Sequence, residues 1–281
     1  LAKRIYGYLT EEKTMNAAND FNAGKTALIT GASRGIGYEL SRLFAEDGYS
    51  LILVARDRGR LEGAADEFKK KYGVSVKILV KDLSSPRTPQ EIYEELKKES
   101  VQVDVLVNNA GFGMFGRFVN SDPEGIRGLL EVNIVALTLL TRLFLKDMIS
   151  RRRGRIMNVS SLGAYQAGPF MATYYASKAY VLSFTESLGN ELKGTGVTAT
   201  AFCPGRTLTE FDKTAGVKKL RLLDDCMMNA DEVAKIGYKA LMKGKRVELA
   251  GWRNKWIVFV AKFMPRRLVN FVVMKLPEKN L

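Results

Sequence analysis

Thr30-Gly31-Ala32-Ser33-Arg34-Gly35-Ile36-Gly37 is the stretch whose reading decides the fold. The run before it, Lys25-Thr26-Ala27-Leu28-Ile29, reads as a strand, and Tyr38 to Ala45 after it has helical apolar spacing. A strand, a glycine turn and a helix start together form a cradle for phosphate. Glycine lets the backbone bend and approach a ligand, while the helix start offers unpaired N–H groups and partial positive charge. The spacing of Gly31, Gly35 and Gly37 is not the familiar G-x-G-x-x-G. The turn alone is equally compatible with being only a turn, so the decision passes to the rest of the chain.

Outward from this turn, strand-like runs recur at Ala27–Thr30, Leu51–Ala55, Val74–Val80, Val103–Asn108, Arg155–Ser160 and Val197–Cys203. Helical patterns lie between them, at about 36–47, 59–72, 88–99, 122–150 and 172–193. Apolar strands alternating with amphipathic helices predict an α/β fold, a Rossmann-like doubly wound parallel sheet with helices on both faces. Ligands of such sheets lie at the carboxyl ends of the strands. Residues 1–24 read as a lead-in without strong period, 25–250 as one catalytic domain, and 251–281 as a basic, aromatic helical extension.

Composition narrows the chemistry. The 281 residues, 46% hydrophobic and 26% charged, suffice for a full core. Histidine is absent, which excludes Ser-His-Asp and Cys-His nucleophiles and histidine bases. Cys203 and Cys226 have no metal-ligand spacing, so no metal site is expected, and so low a cysteine usage suggests a reducing, cytoplasmic compartment. No secretory signal is read at the N-terminus, and no apolar run is expected to approach transmembrane length. From Lys235 onward twelve Lys and Arg face two acids, Glu248 and Glu278, which accounts for most of the net +14. Confined to the tail, that charge does not suggest a nucleic-acid-binding domain.

Further groups sit at or near carboxyl ends of strands. Asn108-Asn109-Ala110-Gly111 follows the fourth strand, and Asn133 lies in the next helix. Ser160-Ser161 closes the fifth strand, and thirteen residues after Ser161 comes Tyr174-Tyr175-Ala176-Ser177-Lys178. Pro204-Gly205 ends the sixth strand, with Thr207 and Thr209 just beyond. In this order and spacing the chain resembles the classical short-chain dehydrogenase/reductase family, over about residues 25 to 210 and more loosely to 250.

The residues themselves carry a parallel argument. Tyr174 and Lys178 are i and i+4 on a helix and share a face. A free phenol titrates near ~10, and an ammonium beside it lowers an acid's pKa by roughly 1–3 units. Lys178 is therefore expected to lower the Tyr174 pKa and make it an acid for reduction or a base for oxidation. Ser161 is placed to polarise the substrate oxygen. The resemblance implies that Lys178 also holds the nicotinamide ribose and that Asn133 anchors a proton-relaying water. Tyr175 competes with Tyr174, and Ser160 with Ser161, but spacing favours the residues named first. Asn133 could instead bond neighbouring backbone, and Thr209 could be a helix cap rather than a neighbour of the nicotinamide carboxamide.

For the cofactor, the residues implied are Gly31, Ser33, Arg34, Gly35, Ile36, Gly37, Arg56, Asp82, Leu83, Asn109, Ala110, Gly111, Tyr174, Lys178, Pro204, Gly205, Thr207 and Thr209. Ala55 stands where an acid would favour the NAD ribose, and Arg56 and Arg34 suit a 2′-phosphate. NADP(H) is thus expected over NAD(H), with Asp57 pointing elsewhere. Asp82 is read as an adenine contact, or else as a helix cap.

Apolar residues flank the site. Phe112, Met114, Phe115, Leu162, Tyr165, Phe170, Met171 and a lid from Thr209 to Met228 suggest a hydrophobic carbonyl or alcohol substrate, such as a 3-oxoacyl, steroid or retinoid-like molecule. The alternative is that many of them are core. The lid includes Phe211, Leu220, Leu222, Leu223, Met227 and Met228. The resemblance also implies a homodimer or homotetramer through the helices at 122–150 and 172–193. Beyond Trp252 the tail mixes Trp, Phe, Val and Ile with Arg and Lys, which suits peripheral contact with an anionic membrane or packing on a protein surface. The rival functional reading is a catalytically silent NADP(H)-binding sensor or scaffold.

Overall fold

The computed structural model of the chain describes residues 24–216 and 227–274. Its strands are β1 (Thr26–Thr30), β2 (Ser50–Ala55), β3 (Val76–Val80), β4 (Val105–Asn108), β5 (Gly154–Val159), β6 (Val197–Cys203), β7 (Thr207–Leu208), β8 (Met228–Asn229) and β9 (Val247–Leu249). Seven of them pair in parallel in the order β3-β2-β1-β4-β5-β6-β9, and β7 pairs with β8 apart from that sheet. The helices are α1 (Gly35–Glu46), α2 (Arg58–Tyr72), α3 (Thr88–Lys98), α4 (Pro123–Leu130), α5 (Leu137–Ser150), α6 (Ala172–Glu191), α7 (Phe211–Ala215), α8 (Ala230–Met242), α9 (Trp252–Phe263) and α10 (Arg266–Met274).

The strands read as continuous apolar runs because both sheet faces are covered. Ala27, Ile29, Leu51, Leu53, Val105 and Val107 pack with Phe44, Phe68 and Leu241 from α1, α2 and α8. Leu28, Ile52, Val54 and Leu106 face the other way, onto Leu96, Leu140, Phe144 and Leu188 from α3, α5 and α6. Each such Leu or Phe contributes roughly 2 kcal/mol when fully buried. The strand order reverses between β1 and β4, opening a crevice above their carboxyl ends. The glycine turn after β1 and the Asn-Asn-Ala-Gly loop after β4 both emerge there.

Two elements lie outside the sequence pattern. β9 is three residues long with Glu248 at its centre, so no apolar run marks it. Glu248 is nonetheless buried, held by Lys245 at 2.6 Å and Lys255 at 2.5 Å. α8 buries a face of mostly small residues, Val233, Ala234, Gly237, Ala240 and Leu241. Its capping box of Asn229 and Glu232 was the legible signal.

The helix expected over 122–150 is interrupted by a π turn, Glu131–Ala136, between α4 and α5. Against the expectation that no apolar run approaches transmembrane length, Pro123–Ser150 is, among the described residues, long and apolar enough to cross a membrane. Its Leu129, Leu137, Leu140, Phe144 and Met148 are buried in this fold, which accounts for its apolar character. Arg151 and Arg153 after it are more than a solvated helix end. Arg151 donates to the Val103 carbonyl at 2.9 Å, and Arg153 lies 3.6 Å from Asp104.

Candidate active site

The turn after β1 is tight because three positions tolerate little but glycine. Gly31 and Gly35 have φ of +66° and +58°, a region costly for residues with a Cβ. A Cβ on Gly37 would lie 2.3 Å from the Gly31 carbonyl oxygen and 2.4 Å from Asn109 Nδ2. α1 therefore starts directly under the turn. Arg34 at its N-cap makes no side-chain cap, and no acid occupies its first turn. By contrast Asp57 caps α2 and Asp122 caps α4. Ser33 and Ile36 flank this uncapped start and are partly exposed.

The loop after β4 is stitched to that turn. Thr30 Oγ1 accepts from the backbone N–H groups of Asn109 and Ala110, each at 3.0 Å, and Asn109 Nδ2 donates to the Thr30 carbonyl at 2.9 Å. Gly111 passes between the two walls of the crevice, since a Cβ there would meet Asn133 Oδ1 at 3.0 Å and Lys178 Nζ at 3.2 Å. Asn133 sits in the π turn, a distortion common at functional sites. It is fully buried. Its Oδ1 accepts from Phe112 N at 3.1 Å, and its Nδ2 donates to Phe112 O at 3.0 Å and Ser177 Oγ at 3.1 Å. The Asn133 side chain thus holds the loop to α6; Ser177 is a partner that spacing alone did not single out.

The paired alternatives separate in the fold. Ser160 is buried and donates to the Lys178 carbonyl at 2.7 Å, away from the crevice. Ser161 accepts from Gly163 N at 3.0 Å and lies beside the Tyr174 phenol. Tyr175 packs its ring on Gly168 and Gly163, whereas Tyr174 stands 5.3 Å, centroid to centroid, from Phe211. Lys178 Nζ lies 5.8 Å from the Tyr174 ring centre and donates to the Val159 carbonyl at 2.9 Å.

Burial corrects the expected electrostatics. The Tyr174 phenol is pushed up to about 12 by removal from water, against a smaller downward pull from Ser161. Burial likewise lowers Lys178 to about 8. The net shift of the Tyr174 phenol is therefore upward, opposite to the expected direction, because desolvation is its largest cause. Tyr174 is protonated across the neutral range and is ready to donate.

At the rim, Arg34 and Arg56 do not converge as expected. Arg34 pairs with Glu210, which also takes Arg60 at 3.1 Å, while Arg56 approaches Asp82 at 3.8 Å. Arg60, one turn into α2, is the guanidinium that joins Arg34 at the end of β2. Nothing in its local sequence marks it. Asp57 caps α2 through Arg60 N at 3.1 Å, so it does point elsewhere. Asp82 accepts from Ser84 N at 2.9 Å, and Leu83 beside it is buried.

Beyond β6, Pro204 accepts from Leu162 N at 2.7 Å, Gly205 lies under Asn254, and Thr207 Oγ1 donates to the Gly205 carbonyl at 3.0 Å. Thr209 accepts from Phe211 N at 3.2 Å and its methyl rests against Gly35. Of the predicted pocket lining, Phe115 and Phe170 pair at 6.0 Å, and Phe211 and Met171 close over Gly113. Tyr165 instead packs with Cys203 and Leu182 in the core. Met227 and Met228 are partly buried; Leu220, Leu222 and Leu223 lie outside the described residues.

These features fit a nicotinamide dinucleotide. The glycine turn and the uncapped α1 start suit a pyrophosphate, and Lys178 with the loop at Asn109–Gly111 lies beside Tyr174. No group of His, Cys, Asp and Glu among the described residues could hold a metal.

Comparison with known proteins agrees. The short chain dehydrogenase family model matches residues 25–219. The chain is 39% identical over 190 residues to a short chain dehydrogenase of Pseudocercospora fijiensis, covering 66% of this chain and 61% of that one. It is 32% identical over 219 residues to 17-beta-hydroxysteroid dehydrogenase type 3 of Mus musculus, covering 76% and 70%. The match thus spans about three-fifths of the fungal relative's length. Among solved structures, a short-chain dehydrogenase from Sphingobium yanoikuyae in complex with NADPH superposes with a TM-score of 0.77 at 29% identity, over 92% of this chain and 98% of that one. The chain belongs to the short chain dehydrogenase family.

Proposed function

We propose that this chain is an NADP(H)-dependent oxidoreductase that interconverts a hydrophobic ketone and its secondary alcohol. The bound nicotinamide supplies the hydride for reduction and takes it in the reverse direction. Tyr174 gives its phenolic proton to the substrate oxygen as charge builds there, and Ser161 donates a second hydrogen bond to the same oxygen. Lys178, charged below its pKa of about 8, stabilises the phenolate that Tyr174 becomes. Asn133 keeps the loop carrying Gly111 and Phe112 against this group.

The observation that carries the reading is the juxtaposition of Ser161, the Tyr174 phenol and Lys178, whose Nζ lies 5.8 Å from the Tyr174 ring centre, in the crevice beside the glycine turn. A silent sensor would have no use for that arrangement. NADP(H) over NAD(H) is supported by Ala55 at the end of β2 and by Arg34 and Arg60 gathered there. The hydrophobic substrate class, with steroids, retinoid-like molecules and 3-oxoacyl groups as examples, is supported by Phe112, Met114, Phe115, Phe170, Met171 and Phe211 about the site, and by likeness to a steroid dehydrogenase. We assign homodimer or homotetramer contacts to α5 and α6, which expose Leu139, Ile149 and Tyr180.

The test is oxidation of NADPH and NADH over ketones graded by chain length and ring size. Turnover with NADPH rising toward large apolar ketones is expected. Turnover confined to small polar ketones contradicts the substrate class, and equal use of NADH contradicts the cofactor preference.

A further inference from the structure

Half of the large apolar side chains exposed in the described residues lie on α9 and α10, Trp252, Trp256, Phe259 and Phe263 among them. Only Asn254 and Val258 of α9 are buried. Asn254 donates to the Ala250 carbonyl at 2.6 Å and sits over Gly205, where a Cβ would lie 2.3 Å from its Nδ2. One narrow edge, with Lys255 bonded to Glu248 beside it, therefore seats α9, and its aromatic side chains stand exposed. On that surface Trp256, Phe259 and Phe263 form a continuous ladder, with ring centroids 5.6 and 5.1 Å apart.

Length and charge identify the occupant. Twelve residues rise about 18 Å as a helix, short of the ~30 Å hydrocarbon layer, and Pro265 separates α9 from α10. Such a helix lies on a bilayer and does not cross it. Between Trp252 and Met274 there are five cations and no acid, and Arg253 stacks over Trp252 at 5.6 Å. Lys255 is paired with Glu248 at the seated edge, and the excess of cations bordering the aromatic rings matches the headgroup–acyl boundary of an anionic leaflet. A second copy of this face would bring like charges together.

We propose that α9 and α10 dock the protein on an anionic lipid surface. α9 reaches Gly205 and the turn at Leu162–Tyr165 that follows Ser161, so the docking face is at the same end of the sheet as the crevice. On the functional reading above, an apolar substrate dissolved in the bilayer would meet the crevice from this side.

Both tryptophans of the chain are on α9, so intrinsic fluorescence reports this face directly. The full chain is titrated with phosphatidylglycerol/phosphatidylcholine vesicles and with phosphatidylcholine alone, reading emission wavelength and sedimentation. A blue shift and co-sedimentation with the anionic vesicles only, weakened by salt, is expected. Phe259→Asp/Phe263→Asp should lower vesicle affinity by roughly tenfold or more, with NADPH affinity unchanged as evidence that the variant folds. No blue shift with anionic vesicles, or equal binding by the variant, overturns the proposal. So does a blue shift that appears without lipid as protein concentration and molecular mass rise together, because the face would then join two copies. None of these readouts depends on turnover.

Discussion

Lys178, to which we assign a part in the site, shows what a buried amine does to the fold that holds it. Its amine is buried and its folded pKa, about 8, lies below the ordinary 10.5. Below pH 8 the lysine is protonated in both folded and unfolded chains, and burying the charge costs on the order of 3 kcal/mol. Between 8 and 10.5 the unfolded chain binds the extra proton, so this penalty fades as pH rises. Lys178→Met should therefore melt higher than the parent at pH 7, with the gap narrowing between pH 8 and 9.5. A pH-independent gap in thermal denaturation would contradict the assignment. At this scale the sequence set Tyr174 and Ser161 apart from Tyr175 and Ser160, and the fold separates the same pairs, because helix and strand periodicity fix which side chains share a face. It misjudged the sign of the Tyr174 shift, because burial is set by Phe211 and other residues remote in sequence.

Among elements, α1 and α2 offer a controlled comparison. Alanine is favoured over glycine inside a helix by about 1 kcal/mol. Gly63 in α2 has nothing within 4 Å of a prospective Cβ, so Gly63→Ala should raise the melting temperature. In α1 the same change at Gly37 meets the Gly31 carbonyl at 2.3 Å. A backbone oxygen cannot give way cheaply, and the clash costs about 1–3 kcal/mol. Gly37→Ala should melt lower and bind NADPH at least roughly tenfold more weakly; if it melts higher, the turn is not packed as described. The strands of the central sheet were legible as elements because they are buried on both faces. α8 and β9 were not, since the buried face of α8 is periodic but made mostly of small residues, and β9 is three residues around a buried glutamate.

For the whole molecule, the alternation of strand and helix was enough to place the crevice. The arginine corner was not legible as built. Arg34, Arg60 and Glu210 come from the glycine turn, α2 and the segment after β7, and only the closed fold brings them together. Family membership, the crevice and the Ser161–Tyr174–Lys178 group support our central proposal, that the Tyr174 phenol is the proton donor to a substrate beside a bound nicotinamide. Tyr174→Phe keeps the ring against Phe211 and removes only the hydroxyl. The decisive measurement is kcat together with the NADPH Kd of that variant. A fall in kcat of roughly 10²–10⁴-fold with Kd unchanged is the expected result; turnover retained near the parent's level would contradict the account.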